Sequence, residues 1–168
     1  MKTGVITDGI SRDFEHALNV MDEFGLQFAE LQFVWDKEVG FLKDAEVQKV
    51  NELLDLHQIK VSNICHHIFA GMPMTTKPGE PLHIQHLDRL KRCMEIAHAV
   101  GSPNVRILSP KKEQILFGAH GAEKWNVAKG AWDALLPIIA PALDIAKDAG
   151  KRLVVETGNG TMVNSSWT

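Results

Sequence analysis

A regular alternation of short apolar runs with longer stretches of helical period constrains this chain more than any other feature. The runs are Gly4-Val5-Ile6-Thr7, Phe28 to Val34, Val61-Ser62-Asn63-Ile64-Cys65, Asn104-Val105-Arg106-Ile107-Leu108-Ser109 and Arg152-Leu153-Val154-Val155. Each has the length of a strand. Between them, apolar residues recur every three or four positions, as they do on a helix with one buried face. The first such stretch carries Phe14, Ala17, Leu18 and Met21, with Ser11 available as a cap and Gly25 closing it. The second, capped by Asp44, carries Val47, Val50, Leu53 and Leu54. The third runs from about His83 to Val100 with Ile84, Leu87, Leu90, Met94 and Ala97 on its apolar stripe. The fourth, Lys129 to Ala149, is read as burying Trp132, Leu135, Leu136, Ile139 and Leu143, and Pro137 and Pro141 inside it predict a kink or a break. Five strands alternating with four helices argue for a parallel sheet joined by right-handed crossovers.

The second run separates an open sheet from a barrel. Read as one strand, it places Glu30, Gln32 and Val34 on one face and Ala29, Leu31 and Phe33 on the other. A covering helix takes the apolar face, so Glu30 and Gln32 look into an interior that tolerates polar groups, and a barrel lumen is such an interior. A complete (β/α)8 barrel needs about 250 residues. The chain has 168 and ends shortly after its fifth strand. The expected fold is therefore α/β, the N-terminal part of a TIM barrel, in a single domain over residues 1–168.

Composition narrows the function classes. The balance of 18 basic against 21 acidic residues, net -3, comes with no basic run, and a nucleic-acid partner is not expected. No apolar segment is long enough for a signal peptide or a membrane span, and a cytoplasmic location is expected. Cys65 and Cys93 have no metal-type spacing and read as reduced, buried thiols. No P-loop or GxGxxG motif demands a nucleotide.

Parallel α/β sheets place their chemistry where strands hand over to loops. Glu156 stands at such a tip, after Val154-Val155 and before Gly158-Asn159-Gly160. A carboxylate there serves as a metal ligand or a general base, or else it is structural, bonding loop amides or pairing with Arg106. Arg106, in mid-strand, anchors a substrate oxygen or balances Glu30. His66 and His67 end the third strand and point to opposite faces, so at most one reaches the lumen; the alternative is a pair that bonds backbone carbonyls. His83 and His86 share a helix face at i, i+3 without a third ligand, and a solvated face is the simpler reading. Pro110 to Val127 has the length and the glycines of a lid.

The strings Ala29-Glu30-Leu31-Gln32, Cys65-His66-His67-Ile68-Phe69-Ala70-Gly71, Gly118-Ala119-His120-Gly121-Ala122-Glu123-Lys124-Trp125 and Val154-Val155-Glu156-Thr157-Gly158-Asn159 resemble the sugar isomerase/epimerase family with the xylose-isomerase-like TIM barrel. The resemblance covers essentially the whole chain but five of the family's eight strands. It implies that Glu156 both binds a divalent metal, Mn²⁺ or Mg²⁺, and moves a proton next to a carbonyl through an enediolate. The three remaining ligands (an aspartate, a histidine and a second glutamate) would come from later strands, so the site is expected to be incomplete and this chain inactive. The resemblance favours His66 as the lumen histidine and a small sugar as partner. Trp35, just past the second strand, and Trp125 are read as walls for the sugar ring or as packing, beside Arg106. The open sheet edges predict a homo-oligomer. Apurinic-site endonucleases share this barrel, but they need a histidine ending the fourth strand, and Leu108-Ser109-Pro110 offers none. A non-catalytic half-barrel binding module is the other alternative.

Overall fold

The five expected strands lie side by side in chain order, which is what helical crossovers of one hand produce. The computed structural model describes residues 3–111, 131–158 and 160–164. Strands β1 (Gly4–Ile6), β2 (Phe28–Leu31), β5 (Lys60–Cys65), β6 (Asn104–Ile107) and β7 (Arg152–Val155) form one parallel sheet in that order. The short β3 (Phe33–Val34) and β4 (Lys37–Glu38) form a separate antiparallel pair. Helices α1 (Phe14–Glu23), α2 (Asp44–Leu56), α3 (Pro81–Ala99) and α4 (Ala131–Asp148) connect the sheet strands.

One side of the sheet carries the core. Ala29, Leu31, Val61, Ile64, Val105 and Ile107 alternate onto it and meet Phe14 and Leu18 of α1, Val50 of α2, Leu90 and Met94 of α3, and Ile138 and Ala142 of α4. Each such Leu, Ile or Phe contributes about 1.5–3 kcal/mol on burial. The helices thus cover one face, here called convex, and leave the other concave. Among the described residues no helix is long and apolar enough to cross a membrane.

The second strand is shorter than the sequence suggests. It stops at Leu31, and Phe33-Val34 folds back on Lys37-Glu38. Two bonds divert it: the Phe33 N–H donates to Asp8 Oδ1 (3.1 Å), and the Gln32 carbonyl accepts from Val39 N (2.8 Å). Trp35 and Asp36 make the turn with φ of 48° and 63°, the positive pair that lets a two-residue loop follow strand twist. Val34 consequently joins the core instead of sharing a face with Glu30.

The helices need smaller corrections. Asp13, rather than Ser11, caps α1, its Oδ1 accepting from His16 N (3.0 Å). Lys43 precedes α2, and Glu46 reaches back to accept from the Lys43 N–H (2.9 Å). On α3, Ile84 is exposed, and His83 takes the buried place one residue earlier. On α4, Leu135, Ile138, Ala142 and Ala146 are buried, while Trp132, Leu136 and Leu143 face outward. That helix is apolar nearly all round, so its periodicity could not choose a face. It runs through Pro137 and Pro141 without the expected break. Of the stretch expected as a lid, only Pro110 and Lys111 are described; the rest, with Trp125, lies outside the described residues.

Candidate functional site

The C-terminal ends of the strands are tied into a common rim. Leu108 N donates to Ile68 O (3.0 Å), Lys111 N to Met72 O (2.7 Å), Met162 N to Pro110 O (2.8 Å) and Val163 N to Ser109 Oγ (2.7 Å). Met74, Leu135 and Met162 make a small core beneath these loops. The residues after β5, β6 and β7 therefore hold one another in place.

Below the rim, the concave face is polar. Cys65 stands opposite Arg106, and Arg106 opposite Val154. A bulge at Ala29/Glu30 shifts the register so that Glu30 faces Asn63, and the Cys65 thiol donates to Glu30 Oε2 (3.4 Å). Burial pushes the Cys65 thiol up to about 12, with Glu30 adding and Arg106 opposing, so it stays protonated. Glu156 extends the ladder past β7, its N–H donating to Ile107 O (3.0 Å). Its carboxylate forms an ion pair with Arg106, which is 7% exposed, whereas the Glu156 side chain is 47% exposed. Of the pairings open to Arg106 from sequence, the one with Glu156 forms. Nε and Nη2 of Arg106 and Oδ1 of Asn63 are buried without a hydrogen-bond partner among the described residues. Buried polar atoms are seldom left this way, and each costs about 1–3 kcal/mol unless something satisfies it.

The two histidines part company as strand alternation requires. His66 turns to the convex side. It is buried, packs on Phe41 (ring centroids 5.4 Å apart), and its Nδ1 accepts from Gly40 N (3.3 Å). Gly40 is required there: a Cβ would sit 2.8 Å from Arg89 Cδ and 3.0 Å from both Cys93 Sγ and His66 Cε1. The Glu38 carboxylate lies 3.3 Å from the same Nδ1, but a nitrogen already accepting an amide proton carries none to share. Burial, opposed by Glu38, lowers the His66 pKa to about 4, so this ring is neutral. His67 instead stands half-exposed beside Gln32, at 3.2 Å between the two Nε2 atoms, with Nδ1 2.6 Å from Glu38 Oε1. His67 is thus the half-exposed histidine of the pair, beside Gln32 and Glu38, and His66 the buried one.

Trp35 is not part of this group. Its ring meets Phe14 edge-on at 5.8 Å, lies under Lys49 at 4.5 Å, and its Nε1–H donates to Glu15 Oε2 (2.5 Å), all on the α1–α2 side. His83 and His86 are not on a solvated face. His83 is buried, accepting from Gly79 N (3.1 Å) and donating to Ile138 O (2.9 Å); His86 Nδ1 accepts from Phe69 N (3.0 Å). Both serve to anchor the loop that leaves β5. Burial, with a smaller push from His83, lowers the His86 pKa.

Glu38 is the residue that sequence reasoning missed. It lies in the hairpin, and a turn made by Trp-Asp with both φ positive has no Gly or Asn to signal it. A groove of about 630 Å³ lies toward the opposite edge of the sheet, lined among others by Gly4, Lys60, Ser62 and Asn104; it reaches Glu30 but includes neither Glu156 nor His67. The strand-end chemistry, rather than groove size, marks the site.

A sequential parallel sheet, helices on one face and a charged, polar opposite face ending in Glu156 define an (α/β) barrel architecture with its site at the C-terminal edge. Residues 18–168 match the family described as xylose isomerase-like TIM barrel, and the chain belongs to that family. A comparison with curated proteins found no match. Among solved structures it is similar to the IolI protein with a bound zinc atom (TM-score 0.69, 20% identity, 98% of this chain and 55% of that one). It is also similar to a D-tagatose 3-epimerase-like protein (0.65, 16%, 94% and 53%). A third is a xylose isomerase-like TIM barrel protein from Mycobacterium smegmatis in complex with magnesium (0.62, 16%, 90% and 49%). The chain spans about half the length of these structures, and at such identities the likeness is one of fold.

Proposed function

We propose that this chain supplies the Glu156 side of the site of a metal-dependent sugar isomerase or epimerase. The observation that supports this most is Glu156 itself: a half-exposed carboxylate at the tip of β7, steered by a buried guanidinium. Among the described residues, no group of three or more His, Cys, Asp or Glu side chains is arranged to hold a metal. Glu156 is a suitable hard oxygen ligand for Mn²⁺ or Mg²⁺, but one carboxylate does not complete a site. When bound, such an ion polarises a carbonyl. Glu156 takes the proton from the carbon next to that carbonyl, and Arg106 fixes the direction from which it does so. Nε and Nη2 of Arg106, without a partner among the described residues, suit a substrate oxygen. His67 takes the place first given to His66, and Trp125, outside the described residues, is proposed as a ring wall.

The substrate class is a ketose or a smaller hydroxy-ketone, handled in the cytoplasm, and the edges of β1 and β7, unpaired among the described residues, lead to self-association. The test is hydrogen–deuterium exchange next to the carbonyl of a ketose, with Mn²⁺ in D₂O, on this chain and on any longer product of its gene. Exchange is expected in a product that carries the remaining ligands, not in the 168-residue chain alone, and is lost in Glu156→Gln. Exchange unaffected by that substitution would overturn the proposal.

A further inference from the structure

The hairpin places a carboxylate where the site otherwise has no use for one. Glu38 Oε1 accepts from the His67 backbone N–H (2.7 Å) and lies 2.6 Å from His67 Nδ1. The first bond alone would tie the hairpin to the end of β5. The second sets the chemistry of the ring. An ionised carboxylate only accepts, so Nδ1 carries a proton, and a ring that holds one proton leaves Nε2 as an acceptor. Gln32 agrees with this assignment, because it turns its NH₂ group, a donor, toward that nitrogen at 3.2 Å. The sequence of bonds runs one way, from the Gln32 amide to His67 Nε2 and from His67 Nδ1–H to Glu38.

The two ends differ in strength. The Glu38 side chain is 14% exposed and its bond to the ring is short and charge-assisted, roughly twice as strong as a neutral one. The Gln32 amide is uncharged, and its contact with the ring is open to water. A ligand hydroxyl can therefore replace the amide without moving the ring.

We propose that Glu38 is a positioning residue: it locks His67 in the Nδ1–H tautomer so that Nε2 receives a hydroxyl of a polyhydroxy substrate. The hydroxyl half of this rests on the function proposed above; the tautomer half does not. The experiment is ¹⁵N NMR of the imidazole of the 168-residue chain at neutral pH, with D-fructose as the probe. The expected result is an unprotonated Nε2 in the wild type, a shift of the tautomer toward Nε2–H in Glu38→Gln, and saturable D-fructose shifts at His67 Nε2 and the Gln32 amide. Those shifts should weaken at least tenfold in Glu38→Gln. Gln32→Leu, which leaves the ring and its carboxylate intact, should keep the Nδ1–H tautomer and bind D-fructose at least as well. A protonated Nε2 in the wild type, or a tautomer indifferent to Glu38→Gln, would overturn the proposal while leaving the role of Glu156 standing. The predicted tautomer with D-fructose shifts confined to other residues would overturn its hydroxyl-binding half. Loss of ketose exchange control by Glu156 would fail the isomerase reading without touching the tautomer.

Discussion

The two faces of the sheet are made by the same strands and obey opposite rules. On the convex face, Ile64 and Ile107 are fully buried among helix residues, and His66 is held there as a neutral ring. On the concave face, one position away along the same strands, stand Cys65 and Arg106, with a carboxylate at either end of the row and polar atoms that lack partners among the described residues. The difference teaches that in this fold stability and chemistry are separated by a single residue step, which β geometry enforces. A one-position slip in any strand would exchange them.

The largest expected effect tests this step directly. Ile64→Ala should cost about 2–5 kcal/mol in urea unfolding, since it opens a cavity in the closed layer. Its neighbour Asn63→Ala removes a buried acceptor that has no partner among the described residues and should change stability by less than about 1 kcal/mol. Equal costs would erase the distinction between the faces.

Next is pH. His66 has a folded pKa of about 4 against an ordinary value of 6.5, because burial disfavours its charged form. The unfolded chain therefore binds the proton more readily between those values. The stabilisation from the neutral ring is complete above pH 6.5 and is lost as pH falls toward 4, up to about 3 kcal/mol in all. The difference between wild type and His66→Gln, which keeps an acceptor for the Gly40 amide, should show that slope in urea unfolding at several pH values.

A smaller contrast lies within the Arg106–Glu156 pair. Glu156→Gln leaves a buried guanidinium facing an amide and should cost about 1–2 kcal/mol. Arg106→Met leaves a half-exposed carboxylate that water can serve and also removes two unpartnered donors, so thermal unfolding should change by under about 1 kcal/mol. The smallest effect on stability belongs to the outer ridge of α4. Leu136→Lys should change stability by at most about 0.5 kcal/mol, yet shift sedimentation toward monomer if that ridge, with the sheet edges, drives self-association.

The sheet was legible in the sequence because period and length were unambiguous: Val61 to Cys65 and Arg152 to Val155 could be little else. The helix faces were legible where polar residues interrupted them, as on α1, and illegible on α4, where Trp132, Leu136 and Leu143 are as apolar as the residues that are buried. For the site, Glu156 and Arg106 could be placed by counting along strands. The His66/His67 choice could not, since it depends on the bulge at Ala29/Glu30 and on where β5 ends. Glu38 was out of reach because its position depends on a hairpin that begins with one bond, from the Phe33 N–H to the Asp8 carboxylate twenty-odd residues earlier in the chain.

The central claim, that the concave edge around Glu156 is where this chain meets a metal and a substrate, is tested most directly by paramagnetic broadening. Millimolar Mn²⁺ is added to the ¹⁵N-labelled chain, a regime in which even a single carboxylate ligand is occupied part of the time. The account predicts broadening centred on Glu156, Thr157 and the backbone after β6, absent from Ile64 and Leu90, and abolished by Glu156→Gln. Broadening centred on the exposed acidic residues of α2, or unchanged by that substitution, would contradict it.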